Sequence, residues 1–184
     1  RQIWAEMGFR AASLGTIGIV GPEGATYLSH TTPDPVHLHQ AVAALAKDHV
    51  EHLAVEASSH GLAQNRLDGL RISAGAFTNL TRDHLDYHKT FEHYLDAKMM
   101  LFEQLLCPGS PAILNADIPE ASDIKKRCLA AGLTVFSVGE KGDDISILSS
   151  TQTENGQLLK LKMVDGEYDV PLPLVGDFQA SNAV

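Results

Sequence analysis

The sequence predicts an α/β fold: a mainly parallel sheet flanked by helices, with a small antiparallel β unit near the C-terminal end. Short apolar runs alternate with helix-periodic segments from residue 12 to residue 138, the pattern of parallel strands joined by helical crossovers. Beyond them, two further runs meet at Asn155-Gly156, a pair suited to a tight turn between antiparallel strands.

Each element has its own signal. A strand is expected over Ala12 to Val20, ended by Gly21-Pro22-Glu23-Gly24. Asp34 as N-cap, with Pro35 at the first helical position, starts a helix that runs to about His49. His52 to Ala57 is a short apolar strand that includes Glu56, and Gly61 to Leu70 reads as a short helix or loop. Ile72 to Leu80 is apolar along most of its length, as in a strand covered on both faces. A helix from about Thr90 to Leu106 follows, then a strand at Ala112 to Asn115, a helix capped by Asp117, and a strand at Thr134 to Val138. The hairpin of Ile145 to Thr153 and Leu158 to Val164 is completed by a third strand, Tyr168 to Val175. The segments at residues 21 to 32 and 57 to 69 offer few apolar anchors and are expected to be mobile.

Composition narrows the function classes. With 184 residues, 44% hydrophobic and 20% charged, the chain can bury one sizeable core and is read as a single domain, 1 to 184. Within it, residues 1 to 140 are the α/β core, 144 to 175 the antiparallel unit and 177 to 184 the start of a helix. No stretch reaches the roughly 18 apolar residues of a spanning helix, and no signal peptide opens the chain, so a cytoplasmic setting is expected. A net charge of -9 without a basic cluster argues against nucleic acid or an anionic membrane as partner. Cys107 and Cys128 lack metal-ligand spacing and are expected to be free thiols. Residues 1 to 12 read as the tail of a helix with no start signal, and Asp177 as an N-cap just before the sequence stops, so a piece of a longer protein is expected.

Ionisable groups gather in one segment. Asp83-His84-Leu85-Asp86-Tyr87-His88 follows an apolar strand, and ligands of open parallel sheets collect beyond the carboxyl ends of strands. In the next helix, Phe91, Tyr94, Leu95, Leu101, Phe102 and Leu105 share one face at about 100° per residue, and Lys98 projects near its centre. Such a lysine either snorkels to solvent or is buried and neutral. A neutral amine can add carbon dioxide to give a carbamate whose oxygens suit a hard cation. Asp83 or Asp86 could instead order the loop, and His88 could be a solvated residue. Glu56 ends another strand, and Ser58-Ser59-His60 follows it. A serine hydrolase is disfavoured, because no Gly-x-Ser-x-Gly is present. No Gly-x-x-x-x-Gly-Lys-Ser/Thr phosphate loop and no dinucleotide-type glycine fingerprint is present either.

Four motifs together resemble the central domain of the Mur ligases: Thr31-Thr32-Pro33-Asp34, Glu56-Ala57-Ser58-Ser59-His60-Gly61-Leu62-Ala63-Gln64-Asn65-Arg66, Asn79 to His88, and Tyr94-Leu95-Asp96-Ala97-Lys98. The resemblance covers essentially the whole chain. It implies a P-loop-NTPase-like fold and ATP-dependent amide formation through an acyl phosphate. The Ser-Ser-His-Gly-Leu run points to the member that adds the third amino acid, a diamino acid and most commonly meso-diaminopimelate, to UDP-N-acetylmuramoyl-L-alanyl-D-glutamate in peptidoglycan synthesis. Position by position, Glu56 and His84 match magnesium ligands, and Lys98 matches the lysine that the family carbamylates. These three are the implied catalytic and metal residues. Thr31, Thr32, Ser58, Gln64 and Arg66 match contacts to the muramoyl dipeptide, with Arg66 suited to a bidentate grip on a carboxylate. Asn182 matches an asparagine near the adenine.

The resemblance further implies a monomer that works with N- and C-terminal domains of the same protein, so this chain alone is expected to be inactive. Gln179 and His30 depart from the family pattern, each standing where asparagine is common. Two rival readings stay open: a metal-dependent phosphohydrolase using Asp83, His84, Asp86 and His88, and a module that binds the muramoyl dipeptide without chemistry.

Overall fold

The computed structural model describes residues 1–28, 30–81 and 85–184. The chain divides into two compact units, Arg1–Arg71 with His84–Leu101, and Ile72–Asp83 with Phe102–Val184.

The first unit is built on a four-stranded sheet of order β3-β2-β1-β4. Its strands are β1 (Ala11–Gly15), β2 (Gly18–Gly21), β3 (Gly24–Thr26) and β4 (His52–Val55). β1 and β4 are parallel, with Ala11 opposite His52 and Leu14 opposite Val55. The stretch expected to be one strand from Ala12 is instead a hairpin, β1 folding back on β2 with Gly15 opposite Gly18. Gly18 takes φ +92, a conformation open to glycine, so the apolar run can reverse without a polar turn sequence.

Among the described residues its helices are α1 (Gln2–Glu6), α2 (Pro35–Lys47), α3 (Ser59–Ala63), α4 (Leu85–His88) and α5 (Phe91–Met100). α2 starts as the sequence indicates: Asp34 accepts hydrogen bonds from the backbone N–H groups of Val36 and His37. Ser58 caps α3 through Gly61 N–H, and Thr90 caps α5 through His93 N–H. Residues 57 to 69 are better anchored than expected, since Leu62 and Leu67 are both buried. The apolar face of α5 buries Tyr94, Ala97 and Met99 and leaves Glu92 and Asp96 exposed. Past Met100 the α-helix gives way to a π-helical turn, Leu101–Leu105.

The second unit carries a six-stranded sheet of order β10-β9-β8-β7-β6-β5. The strands β5 (Gly75–Phe77), β6 (Pro111–Asn115), β7 (Thr134–Gly139) and β8 (Ile145–Thr153) are parallel neighbours. β9 (Gly156–Met163) and β10 (Gly166–Leu172) add antiparallel pairs, as the Asn155-Gly156 signal indicated. Thr153 pairs with Gly156, so the loop is Glu154-Asn155, one residue earlier than expected. Helices α6 (Ala121–Ala130) and α7 (Asp177–Ala183) complete the unit. Ala112, Leu114, Ile124 and Cys128 are buried in it, and Ile147, Leu159, Leu161 and Ala180 form one apolar cluster. Both cysteines are free, and burial, with Glu103 adding to it, pushes the Cys128 thiol up to about 11.

Asp117 does not cap a helix. Its carboxylate accepts from the N–H groups of Glu140 and Lys141, both at 2.8 Å, and so latches the turn after β7. α6 begins four residues later without a side-chain cap. No described helix is long and apolar enough to cross a membrane.

Candidate functional site

In the first unit, the parallel ladder fixes Glu56 at the carboxyl end of β4. Its N–H donates to Leu14 O at 2.8 Å, one step beyond the paired strands. The exposed Glu56 side chain is then gripped at one oxygen: Oε2 accepts from Thr16 N–H at 3.1 Å and from Thr16 Oγ1 at 2.8 Å. Thr16 also pairs with Thr31 Oγ1 at 3.1 Å.

Next to it lies Thr32, only 1% exposed. Its hydroxyl donates to Glu56 O at 2.8 Å and accepts from the N–H and the hydroxyl of Ser58 at 3.1 and 3.0 Å. Gly61 keeps this contact close, because a Cβ there would come within 2.8 Å of the Thr32 side chain. Arg66 Nη1 donates to Thr32 O at 2.6 Å, while its Nε and Nη2 hold Gln64 Oε1 at 3.0 and 2.6 Å. Gln64 Nε2 in turn donates to Tyr87 Oη at 3.0 Å. Thr31, Thr32, Glu56, Ser58, Gln64 and Arg66 are thus brought into one hydrogen-bonded network. In it the Arg66 fork is occupied by neutral oxygens, which a substrate carboxylate would have to displace.

The helix pair α4 and α5 supplies the rest of this unit's chemistry. His88 is 6% exposed, and its Nε2 lies 2.9 Å from Oγ of Ser59, itself 4% exposed. The His88 ring stacks on Tyr94 at 5.3 Å, and His60 packs on Tyr87 at 4.1 Å. Lys98 Nζ sits 5.1 Å from the centre of the Tyr94 ring, and burial lowers the Lys98 pKa. The lysine is therefore half-buried, with its charged form penalised relative to an exposed lysine.

His84 and Asp83 lie outside the described residues, so the structure gives no position for the histidine matched to magnesium. Asp86 is exposed, whereas His88 is packed among rings and engaged with Ser59. Such burial withdraws His88 from a solvent-facing metal cluster and leaves a Ser-His pair no room for substrate. Among the described residues, no three His, Cys, Asp or Glu side chains gather as a metal site.

In the second unit, Asn182 of α7 lines a cavity of about 170 Å³ with Ala76, Phe77, Thr78, Ile113 and Asn115. Asn115 ties it together: Nδ2 donates to Thr78 O at 2.9 Å, and Oδ1 accepts from Asp117 N–H at 2.9 Å.

The family model described as "Mur ligase middle domain" matches residues 1–184. The chain belongs to the Mur ligase middle-domain family. This Mur ligase middle domain is 48% identical over 184 residues to the UDP-N-acetylmuramoyl-L-alanyl-D-glutamate--2,6-diaminopimelate ligase of Brucella melitensis, covering 100% of the chain and 38% of that relative. The enzyme of the same name from Rhizobium meliloti is 48% identical with the same coverage. A solved structure of a ligase with that name superposes with a TM-score of 0.88 at 32% identity, over 98% of this chain and 37% of the other. An FPGS–AMPPCP complex at 15% identity and a TM-score of 0.71, covering 98% of this chain and 51% of the other, shares the fold alone. The middle domain thus spans under two fifths of the length of the curated relatives it matches.

Thr16, Ser59, Tyr87 and Tyr94 carry contacts in the site that the sequence reading did not assign. Thr16 was hidden by the reading of residues 12 to 20 as one strand, in which a turn threonine has no distinguishing signal.

Proposed function

We propose that this chain is most of the middle domain, residues 1 to 184, of a ligase that joins 2,6-diaminopimelate to UDP-N-acetylmuramoyl-L-alanyl-D-glutamate at the expense of ATP. Relatives of that name at 48% identity across the whole chain support the reading. The observation that carries it is the single network joining Thr31, Thr32, Ser58, Gln64 and Arg66 to Glu56. The positions matched to the dipeptide and the position matched to magnesium are neighbours in space.

Within that reading the residues divide their work. Arg66 offers a charged fork to a substrate carboxylate, and Ser58 and Gln64 flank it. Thr32, being buried with its hydroxyl committed, braces the network, so Thr31 is the member of the pair that meets substrate. Glu56, His84 and a carbamylated Lys98 would hold magnesium, which supplies positive charge between a phosphate tail and a carboxylate that repel each other. The donor set fits a hard cation: a strand-end carboxylate with one oxygen held in place, and a half-buried lysine whose carbamate would add oxygen ligands. Forming the carbamate joins the neutral Lys98 nitrogen to carbon dioxide and releases one proton. Asn182, on the wall of the 170 Å³ cavity, would meet the adenine of ATP. The reaction belongs in the cytoplasm and to a monomer whose N- and C-terminal domains bring the UDP group and the amino-acid pocket, while the phosphate loop belongs to the rest of the middle domain.

The test is nucleotide turnover by the full-length gene product that carries this sequence. ADP release is expected only when both the muramoyl dipeptide and diaminopimelate are present, and loss of Lys98 in Lys98→Ala should abolish it in bicarbonate-free buffer. Phosphate release from simple esters without an amine acceptor would instead support the phosphohydrolase.

A further inference from the structure

We propose that Gly15 and Thr16 form a cradle that fixes the Glu56 carboxylate for the cation and links it to the substrate-side hydroxyl of Thr31, so that both are positioning residues. The proposal rests on the reading of Glu56 as a magnesium ligand.

Three features build the cradle. Gly15, buried at the end of β1, leaves space that the Glu56 side chain fills: a Cβ on Gly15 would lie 2.5 Å from Glu56 Oε1 and 2.7 Å from its Cγ. Gly15 is absent from the glycines with positive φ, so backbone strain does not explain the glycine and the room for the carboxylate does. Thr16 then gives two donors, N–H and hydroxyl, to the same oxygen, Oε2. Because Oε1 receives neither, the two oxygens are made inequivalent, and Oε1 is the one left without a Thr16 donor to compete with a cation.

The hydrogen-bond direction follows from counting protons. A threonine hydroxyl has one proton. Thr16 spends its own on Glu56 Oε2, so in the 3.1 Å contact Thr31 must donate to Thr16. The relay runs from Thr31 to Thr16 to Glu56, and it leaves the Thr31 oxygen as an acceptor for an N–H donor of the substrate. Occupancy at Thr31 and the carboxylate geometry are thereby coupled through one hydroxyl.

The expected cost falls on the cation rather than on the fold. An alanine methyl at position 15 collides with the Glu56 side chain from Cγ to Oε1, and that side chain is exposed and can change rotamer without moving the strands. Partners that orient a metal ligand are typically worth about 10-fold to 100-fold in metal affinity.

Manganese binding to the full-length gene product, followed by electron paramagnetic resonance with Mn²⁺ alone as the probe, tests this alongside thermal melting. Gly15→Ala and Thr16→Val should each weaken Mn²⁺ binding by about 10-fold, Thr16→Ser should restore it, and the Tm of all three should stay near the parent's. Parent-like Mn²⁺ binding in Gly15→Ala and Thr16→Val while Glu56→Gln loses it would overturn the cradle and leave Glu56 as a ligand. Parent-like binding in Glu56→Gln would overturn the ligand reading and the cradle with it. A Thr16→Ser variant as weak as Thr16→Val would show that the hydroxyl does not act.

Discussion

Lys98 shows how one residue's surroundings set its chemistry. Its Nζ lies by the Tyr94 ring, on which the buried His88 stacks, and burial lowers its pKa below the usual 10.5. The folded protein therefore binds fewer protons at this site than the unfolded chain between the lowered value and 10.5. Folding stability should accordingly rise with pH through that window and be lost again as pH falls through the lowered value. Urea unfolding in carbonate-free buffer should show the rise in the parent and not in Lys98→Met, which keeps the length and removes the charge. Parallel pH curves for the two would contradict the burial of an ionisable amine. The sequence made Lys98 legible because its apolar neighbours recur at helical spacing. It did not make His88 legible: a histidine at a loop end looks the same whether it faces water or packs between rings.

At the scale of elements, hydrophobic alternation located most strands and helices, and capping residues set their starts. Asp34 and Pro35 began α2 as read, because a cap is a local interaction between residues two and three apart. Asp117 was misread for the opposite reason. Its partners, Glu140 and Lys141, are 23 and 24 residues away, and no local pattern announces them. Asp117→Ala should therefore leave helix content by circular dichroism unchanged while costing about 2–3 kcal/mol in urea unfolding, the scale of losing bonds to a charged acceptor. A loss of helical signal with intact stability would restore the capping role. The β1–β2 hairpin escaped notice likewise, since Gly15-Thr16-Ile17-Gly18 sits inside a continuous apolar run and lacks a polar turn pair. That omission also concealed Thr16, the residue that grips Glu56.

For the whole molecule, the α/β class was legible in the strand and helix alternation, while its partition into a four-stranded and a six-stranded sheet was not. Which strands hydrogen-bond is decided by tertiary packing, and periodicity is blind to it. The site followed the same division. Glu56, Thr31, Thr32, Ser58, Gln64 and Arg66 were named through the family resemblance, but only the folded chain shows them wired together. On the proposed function, a chain of net charge -9 would meet two anionic substrates and would need local cations, which Arg66 and the metal site would provide. The central claim is that this middle domain serves the activation of a carboxylate by ATP for attack by an amine. The most direct measurement uses dipeptide substrate labelled with heavy oxygen in the glutamyl carboxylate, turned over by the full-length gene product with ATP and diaminopimelate. Transfer of one labelled oxygen to inorganic phosphate, with the other kept in the new amide, is the predicted result; phosphate free of label would contradict the account.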